Sequence, residues 1–385
     1  MKKRTHSDIL LHKIVPHEAL TFDDILLLPG YADFKRGDAD LSTKLYRTIT
    51  LHLPVISSPM DTVTETDMGI AMAQAGGLGI IHRNLSVSRQ ARSVYGVKRI
   101  AGHSPMSAVD SDNKLLIGAA VGVGLDFDER VEALAQAGVD LLVIDSGHGF
   151  TKFVIDAVRV IKKNYPHMPV MAGNVATYDG GKALITAGAD ILRVGMGPGS
   201  ICTTRIVTGM GVPQISAIAA VVRAAEGTGA TVVADGGIRQ MGDMAKAFAF
   251  GAHAVMLGSL LARFKESPGQ TVKMNGKMYK TYRGMGSIAA MRQGGAERYG
   301  QARDAHKKQL IAEGVEGLVP FAGNVADYLY QIQGSLKSSF YYIGARTFPE
   351  FFNTSRCIKI SNAGLLESHP HEIAITDTGN NYSAS

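Results

Sequence analysis

Eight short runs of aliphatic residues recur along the chain, each followed by a stretch with helical spacing. The runs are PVISSPM (54–60), GLGIIHR (77–83), LLIGAAVGV (115–123), DLLVIDSG (140–147), PVMAGNV (169–175), ADILRVGMG (189–197), TVVADGG (231–237) and AVMLGSL (254–260). They do not alternate apolar with polar. Nearly continuous Val, Ile, Leu and Ala mark strands buried on both faces, as in a parallel sheet. Among the intervening stretches, DFDERVEALAQAG offers Asp126 or Asp128 as a cap and Gly138 as a stop. TKFVIDAVRVIKKNY, DGGKALITAG, QISAIAAVVRAAEG and MGDMAKAFAFG behave alike. Eight strand–helix units predict an α/β fold, a (β/α)8 TIM barrel, with an open doubly wound sheet as the alternative.

The pattern breaks after the eighth run. Residues 264–318 carry Gly-Met-Gly, Gly-Gly, Arg-Tyr and many charges, and predict a long irregular active-site flap. A helix over 324–344 then closes the barrel, and the polar C-terminal segment predicts an extended arm. Residues 1–385 are read as one domain. In such a barrel the loops after the strands form the active face. SSPMD, DSGHG, GNVAT, GMGPGSICTTR, DGG and GS all fall there. Any one of these loops is an ordinary turn composition; six on one rim call for a function.

Composition narrows the classes. The 45% hydrophobic and 19% charged content suits a globular protein. No apolar run reaches the ~18 residues of a membrane span, and the N-terminus lacks the pattern of a secretion signal. Two cysteines, Cys202 and Cys357, fit a reducing cytoplasm better than a disulfide framework. The net charge of +6 comes from dispersed Lys and Arg, densest at Lys2-Lys3-Arg4 and around Arg303 to Lys308. Without a DNA-reading motif, this points to anionic small molecules over nucleic acid.

The rim residues suggest specific chemistry. Gly236, Gly237 and Gly258 permit close backbone approach, and the N–H groups of Gly258 and Ser259 can bind phosphate oxygens. Asp235 can accept from a pair of hydroxyls. Cys202 is either a small buried hydrophobe or a nucleophile beside Ser200, Thr203 and Thr204. The carbonyls of Gly197, Gly199 and Cys202 can converge on a weakly hydrated cation such as K⁺, and the histidines show no metal spacing. Arg298-Tyr299 on a flap can deliver an acid–base group, although an arginine is almost always protonated. Glu313 can accept from a heterocycle N–H.

Together these blocks resemble the IMP dehydrogenase / GMP reductase family. LTFDDILLLPGYADF, SSPMDTVTE, GIIHRNLS, AGNVAT, VGMGPGSICTTR, ADGGI, VMLGS, YRGMGS, ERYGQ, EGVEG and ESHPHEI stand in that family's order through nearly the whole chain. The resemblance implies oxidation of inosine 5′-monophosphate (IMP) by NAD⁺ through a covalent thioimidate on Cys202. Thr204 assists, and Arg298-Tyr299 activates the hydrolytic water. It implies Ser200, Gly237, Gly258, Ser259 and Tyr282 at the phosphate, Asp235 at the ribose, and Met285, Gly286 and Glu313 at the base. Asp145, Asn174 and Gly195 would face NAD. K⁺ would lie among Gly197, Gly199 and Cys202, with Glu367, Ser368 and His369 from a neighbouring subunit of a homotetramer.

Two alternatives remain. GMP reductase shares the cysteine loop but uses NADPH and needs no water-activating Arg-Tyr pair, and ESHPHEI also resembles the dehydrogenase. A non-catalytic nucleotide-binding barrel is opposed by the retained Cys202, Thr204, Arg298 and Glu313. The chain departs from the family at Gly300, where an aromatic is usual, and over a longer 300–312. Between about residues 92 and 115 it lacks the length of the regulatory CBS module pair.

Overall fold

The computed structural model describes residues 13–15, 17–301 and 309–377. The basic groups at 2–4 and 303–308 lie outside these. Every predicted core strand forms: β1 (Val55–Ser57), β2 (Leu78–Ile81), β3 (Ile117–Val121), β4 (Leu141–Asp145), β5 (Val170–Val175), β6 (Ile191–Val194), β7 (Thr231–Asp235) and β8 (Ala254–Leu257). The eight close into a barrel in which β8 pairs in parallel with β1, which excludes the open sheet.

The continuous apolar runs now have their reason. Side chains alternate across each strand. Leu142, Ile144, Leu192, Val232 and Ala234 pack outward with the helices. Leu141, Val143, Ile191 and Val233 fill the interior, over Leu45, Ile49 and Leu51 of an N-terminal hairpin that plugs the barrel floor. Continuing that inward register by two residues places Asp145, Arg193 and Asp235 at the interior's upper end.

Asp126 stands at the start of the helix Phe127–Gln136, where its carboxylate pairs with Arg130 and makes no capping bond, and Gly138 follows in the left-handed region at φ +82°. The predicted closing helix spans Val325–Ile343. No helix among the described residues is long and apolar enough to cross a membrane.

Two expectations are corrected. The flap is not an irregular loop: Thr271–Met274, Lys277–Arg283 and Glu316–Pro320 form a three-stranded antiparallel sheet. The alternating KMYKTYR pattern was the available signal. Nor is the C-terminal segment simply extended. Cys357–Lys359 pairs antiparallel with Ile25–Leu27, and Asn362–Glu367 forms a short helix. Cys357 is free and exposed on that edge strand. Helix Val87–Lys98 connects to β3 through a compact loop, tied by the bridges Ala101–Lys114 and Val109–Leu115.

Candidate active site

The upper rim opens into one cavity. Cys202, Thr204, Asp235, Asn174, Gly195, Gly197 and Gly199 line it from the barrel loops, with Gly258 and Ser259 after β8. Tyr282, Met285, Arg298, Tyr299 and Glu313 line it from the flap. Residues from both regions predicted to serve one reaction therefore meet in one place.

The cysteine loop is held by the flap. Thr203 N–H donates to the Glu313 carbonyl at 3.0 Å, and Val315 N–H donates to the Ile201 carbonyl at 3.0 Å. These bonds bring Glu313 over the thiol. Cys202 Sγ donates to Thr204 Oγ1 at 3.2 Å, and Thr204 Oγ1 donates to Glu313 Oε2 at 2.7 Å. A proton leaving the sulfur thus has a two-step path to a carboxylate. Glu313, expected beside the base, also accepts from the hydroxyl next to the nucleophile.

Across the cavity, Arg193 was not anticipated. Its Nη1 donates to Asp145 Oδ1 at 2.5 Å and its Nε to Asp235 Oδ2 at 2.9 Å. Asn174 Nδ2 also donates to Asp235 Oδ2 at 2.8 Å. The signal was present: Arg193 is the one charge inside the apolar run ILRV, and an unpaired charge there is not tolerated. Arg193→Met should cost about 3–5 kcal/mol, since it strips a buried cation from two carboxylates. Denaturant unfolding reads this, and a loss below about 1 kcal/mol would place the pair among weak surface bridges.

Four predicted residues stand behind the cavity wall. The Asp145 side chain is fully buried and pairs with Arg298 as well as Arg193. Ser200 reaches the site through its hydrogen bond with the Tyr282 hydroxyl. Burial pushes that tyrosine's ionisation well above its usual range, so it stays a neutral hydrogen-bonding group. Gly237 abuts Pro198. Gly286 lies under Tyr299: a Cβ there would come within 2.7 Å of the ring. Burial raises the Tyr299 phenol too.

Glu367, Ser368 and His369 do not line the cavity. Ser368 caps the helix Asn362–Glu367 instead. Met60, Gly147, Ile201 and Gly284 complete the wall without having been predicted; they offer backbone and packing, which residue type does not advertise.

The cavity's donor set suits sugars and carbonyl-bound cations rather than a transition metal. Asp145 Oδ2 and Asn174 Oδ1 are buried acceptors without partners, matched to hydroxyl donors. No group of three His, Cys, Asp or Glu among the described residues can hold a metal. The loop around Gly197 offers only carbonyls, of which that of Gly199 already accepts from Cys202 N–H.

Kinship with known proteins agrees with this chemistry. Residues 19–371 match the family model of the IMP dehydrogenase / GMP reductase domain. The chain is 43% identical to an inosine-5′-monophosphate dehydrogenase of Borreliella burgdorferi, over 93% of this chain and 98% of that protein. It is 38% identical to the Escherichia coli enzyme of the same name, over 96% and 99%. The Bacillus subtilis enzyme is also 38% identical, over 96% and 98%.

Proposed function

This chain belongs to the IMP dehydrogenase / GMP reductase family, and on that premise we propose that it oxidises IMP to xanthosine 5′-monophosphate in guanine nucleotide synthesis. It is an oxidoreductase, and its hydride acceptor is NAD⁺.

In this reading the Cys202 sulfur, having passed its proton through Thr204 toward Glu313, adds to carbon 2 of the purine. NAD⁺, when bound, accepts the hydride from that carbon. The product on the enzyme is a thioimidate, oxidised at carbon 2 and bonded to Sγ. Water then adds to the same carbon, loses a proton, and the thiolate leaves.

The ribose and phosphate are held by Asp235, Gly258, Ser259, Tyr282 and Ser200. Arg193 and Asn174 hold the Asp235 carboxylate in place.

One observation carries the dehydrogenase reading: Arg298 of the flap rests on Asp145. Asp145 is the acceptor proposed for the cofactor's ribose. Arg298 and Arg193 both sit on Oδ1 and leave Oδ2 without a partner; in this reading the flap arginine leaves the carboxylate when the ribose hydroxyls reach it, so cofactor and flap take turns. Arg298 and Tyr299 line the same cavity as Cys202, where they orient the water. GMP reductase chemistry has no hydrolytic stage to use them.

The Gly197, Gly199 and Cys202 carbonyls hold K⁺ in this reading, with Glu367, Ser368 and His369 supplied by a neighbour in a homotetramer. Ile206, Val207 and Met210, exposed beside the cysteine loop, provide apolar surface for such a neighbour. Light scattering checks the mass. The compact link between Val87–Lys98 and β3 supports the absence of CBS modules, so adenine nucleotides should leave the saturation kinetics unchanged. The free cysteines are consistent with a cytoplasmic enzyme.

The paired assay tests the assignment. IMP with NAD⁺ should yield NADH, faster in K⁺ than with a large organic cation in its place. Ammonia released from GMP with NADPH, and no NADH from IMP, would move the chain to the reductase side of the family.

A further inference from the structure

A second charge contact, outside the cavity, joins flap to barrel. Arg83 follows β2 and is 8% exposed. Its Nη1 lies 3.6 Å from Glu297 Oε2 on the flap. Glu297 adjoins Arg298 in the short 3₁₀ helix Gly295–Tyr299.

The barrel leaves space for this contact at two glycines after β3. A Cβ on Gly122 would come within 2.8 Å of Arg83 Nη1, and one on Gly124 within 2.5 Å of Glu297 Oε2. The residue after Arg83 also grips the flap: Asn84 Nδ2 donates to the Ala290 carbonyl at 3.3 Å and to Asp61 Oδ2 at 2.9 Å. Asp61 in turn pairs with flap Arg283 at 2.7 Å. The Arg83 turn is itself held, with Asn84 N–H donating to His82 Nδ1 at 3.1 Å.

Two adjacent flap residues of opposite charge therefore meet two barrel residues of opposite charge. Glu297 meets Arg83, and Arg298 meets Asp145. A shift of the helix by one residue would set Arg298 against Arg83 in one direction, or Glu297 against Asp145 in the other. Both pairings are repulsive, so the charge order selects one register. Burial together with nearby Arg298 and Arg130 already presses the Arg83 guanidinium down to about 10, with Glu297 opposing that shift. Without Glu297, this corner holds Arg83, Arg130 and Arg298 against Asp126 and Asp145.

We propose that Arg83 and Glu297 form a latch that seats the flap so that Arg298 rests on Asp145, making both positioning residues for the hydrolytic stage only. This rests on the two-stage reading above. Neither side chain lines the cavity, so the hydride stage, run with the flap away from Asp145, does not use them.

The test uses stopped-flow NADH formation together with intact-mass measurement of the Cys202 adduct during turnover. In Glu297→Gln and Arg83→Met, the hydride-transfer rate should stay within about twofold of the parent. The steady-state rate should fall about five- to tenfold, the size of a coupling worth roughly 1 kcal/mol or more, while the adducted fraction rises. Arg83→Lys should retain most of the rate, because 3.6 Å is a charge contact without fork geometry. The double variant Arg83→Met/Glu297→Gln should be no slower than either single. Independent multiplication of the two effects, an unchanged steady-state rate, or an equal slowing of hydride transfer overturns the latch. Absence of any adduct or hydride transfer in the parent enzyme overturns the two-stage reading instead.

Discussion

Replacing Cys202 with Ala should abolish turnover, by at least ~10⁴-fold, while IMP still binds. Sulfur supplies the bond through which carbon 2 is oxidised, and no other nucleophile stands in its place. The alternative acceptor in reach, Thr204 Oγ1, is already engaged to Glu313 at 2.7 Å, and a neutral hydroxyl is far weaker than a thiolate toward an electron-poor carbon. The binding groups lie elsewhere: Asp235 is held by Arg193 and Asn174, and Tyr282 lies against Ser200. None of them depends on the sulfur. Calorimetric titration with IMP should therefore give an affinity within a few-fold of the parent, alongside a null NADH assay. Substantial remaining turnover would rule out the covalent route.

The second large effect is at Arg298. Arg298→Ala should leave the first NADH nearly as fast as in the parent and slow the following turnovers by about 10²–10⁴-fold, the usual contribution of a positioned acid–base group. The reason is geometric. In the proposed reading Arg298 and the cofactor ribose share the Asp145 carboxylate, so removing Arg298 leaves the cofactor's partner intact and even uncontested. Asp145 remains paired with Arg193 at 2.5 Å, which holds it in place. A rapid-mixing trace should show close to one NADH per site and then a slow line, with the adduct persisting on Cys202. A trace slowed from its first phase would assign Arg298 to the hydride stage. The same trace separates this variant from the latch variants: these keep the guanidinium and lose only its seating, so their slow phase falls far less.

How much of this was legible in the residues differs by element. The eight strands were, because burial on both faces leaves unbroken Val, Ile and Leu runs that no surface element has. The rim residues were too, because glycines, an aspartate and a cysteine at strand ends stand out against those runs. The flap's sheet was misread since none of its strands carries an unbroken apolar run and two of the three are largely exposed. Polar alternation of that kind looks like loop when no core stands behind it. Glu313 was found, but its partner was not.

The division follows the range of the forces. Periodicity, caps and turn chemistry act over a few residues, and they determined a parallel barrel with glycine-rich loops, a cysteine and a flap insertion around its mouth, while the role of Cys202 stayed open until the resemblance to a family was added. Which charges meet was decided only by closure of the barrel. Arg193 lies 48 and 42 residues from the two carboxylates it joins, and Thr204 lies 109 from Glu313. Arg83 and Glu297 come from a strand end and a flap helix with six barrel strands between them in the chain. A guanidinium or carboxylate carries no mark of its partner along the chain. Its pairing is chosen by the cost of burying it alone, and that cost exists only once the tertiary structure has excluded the water.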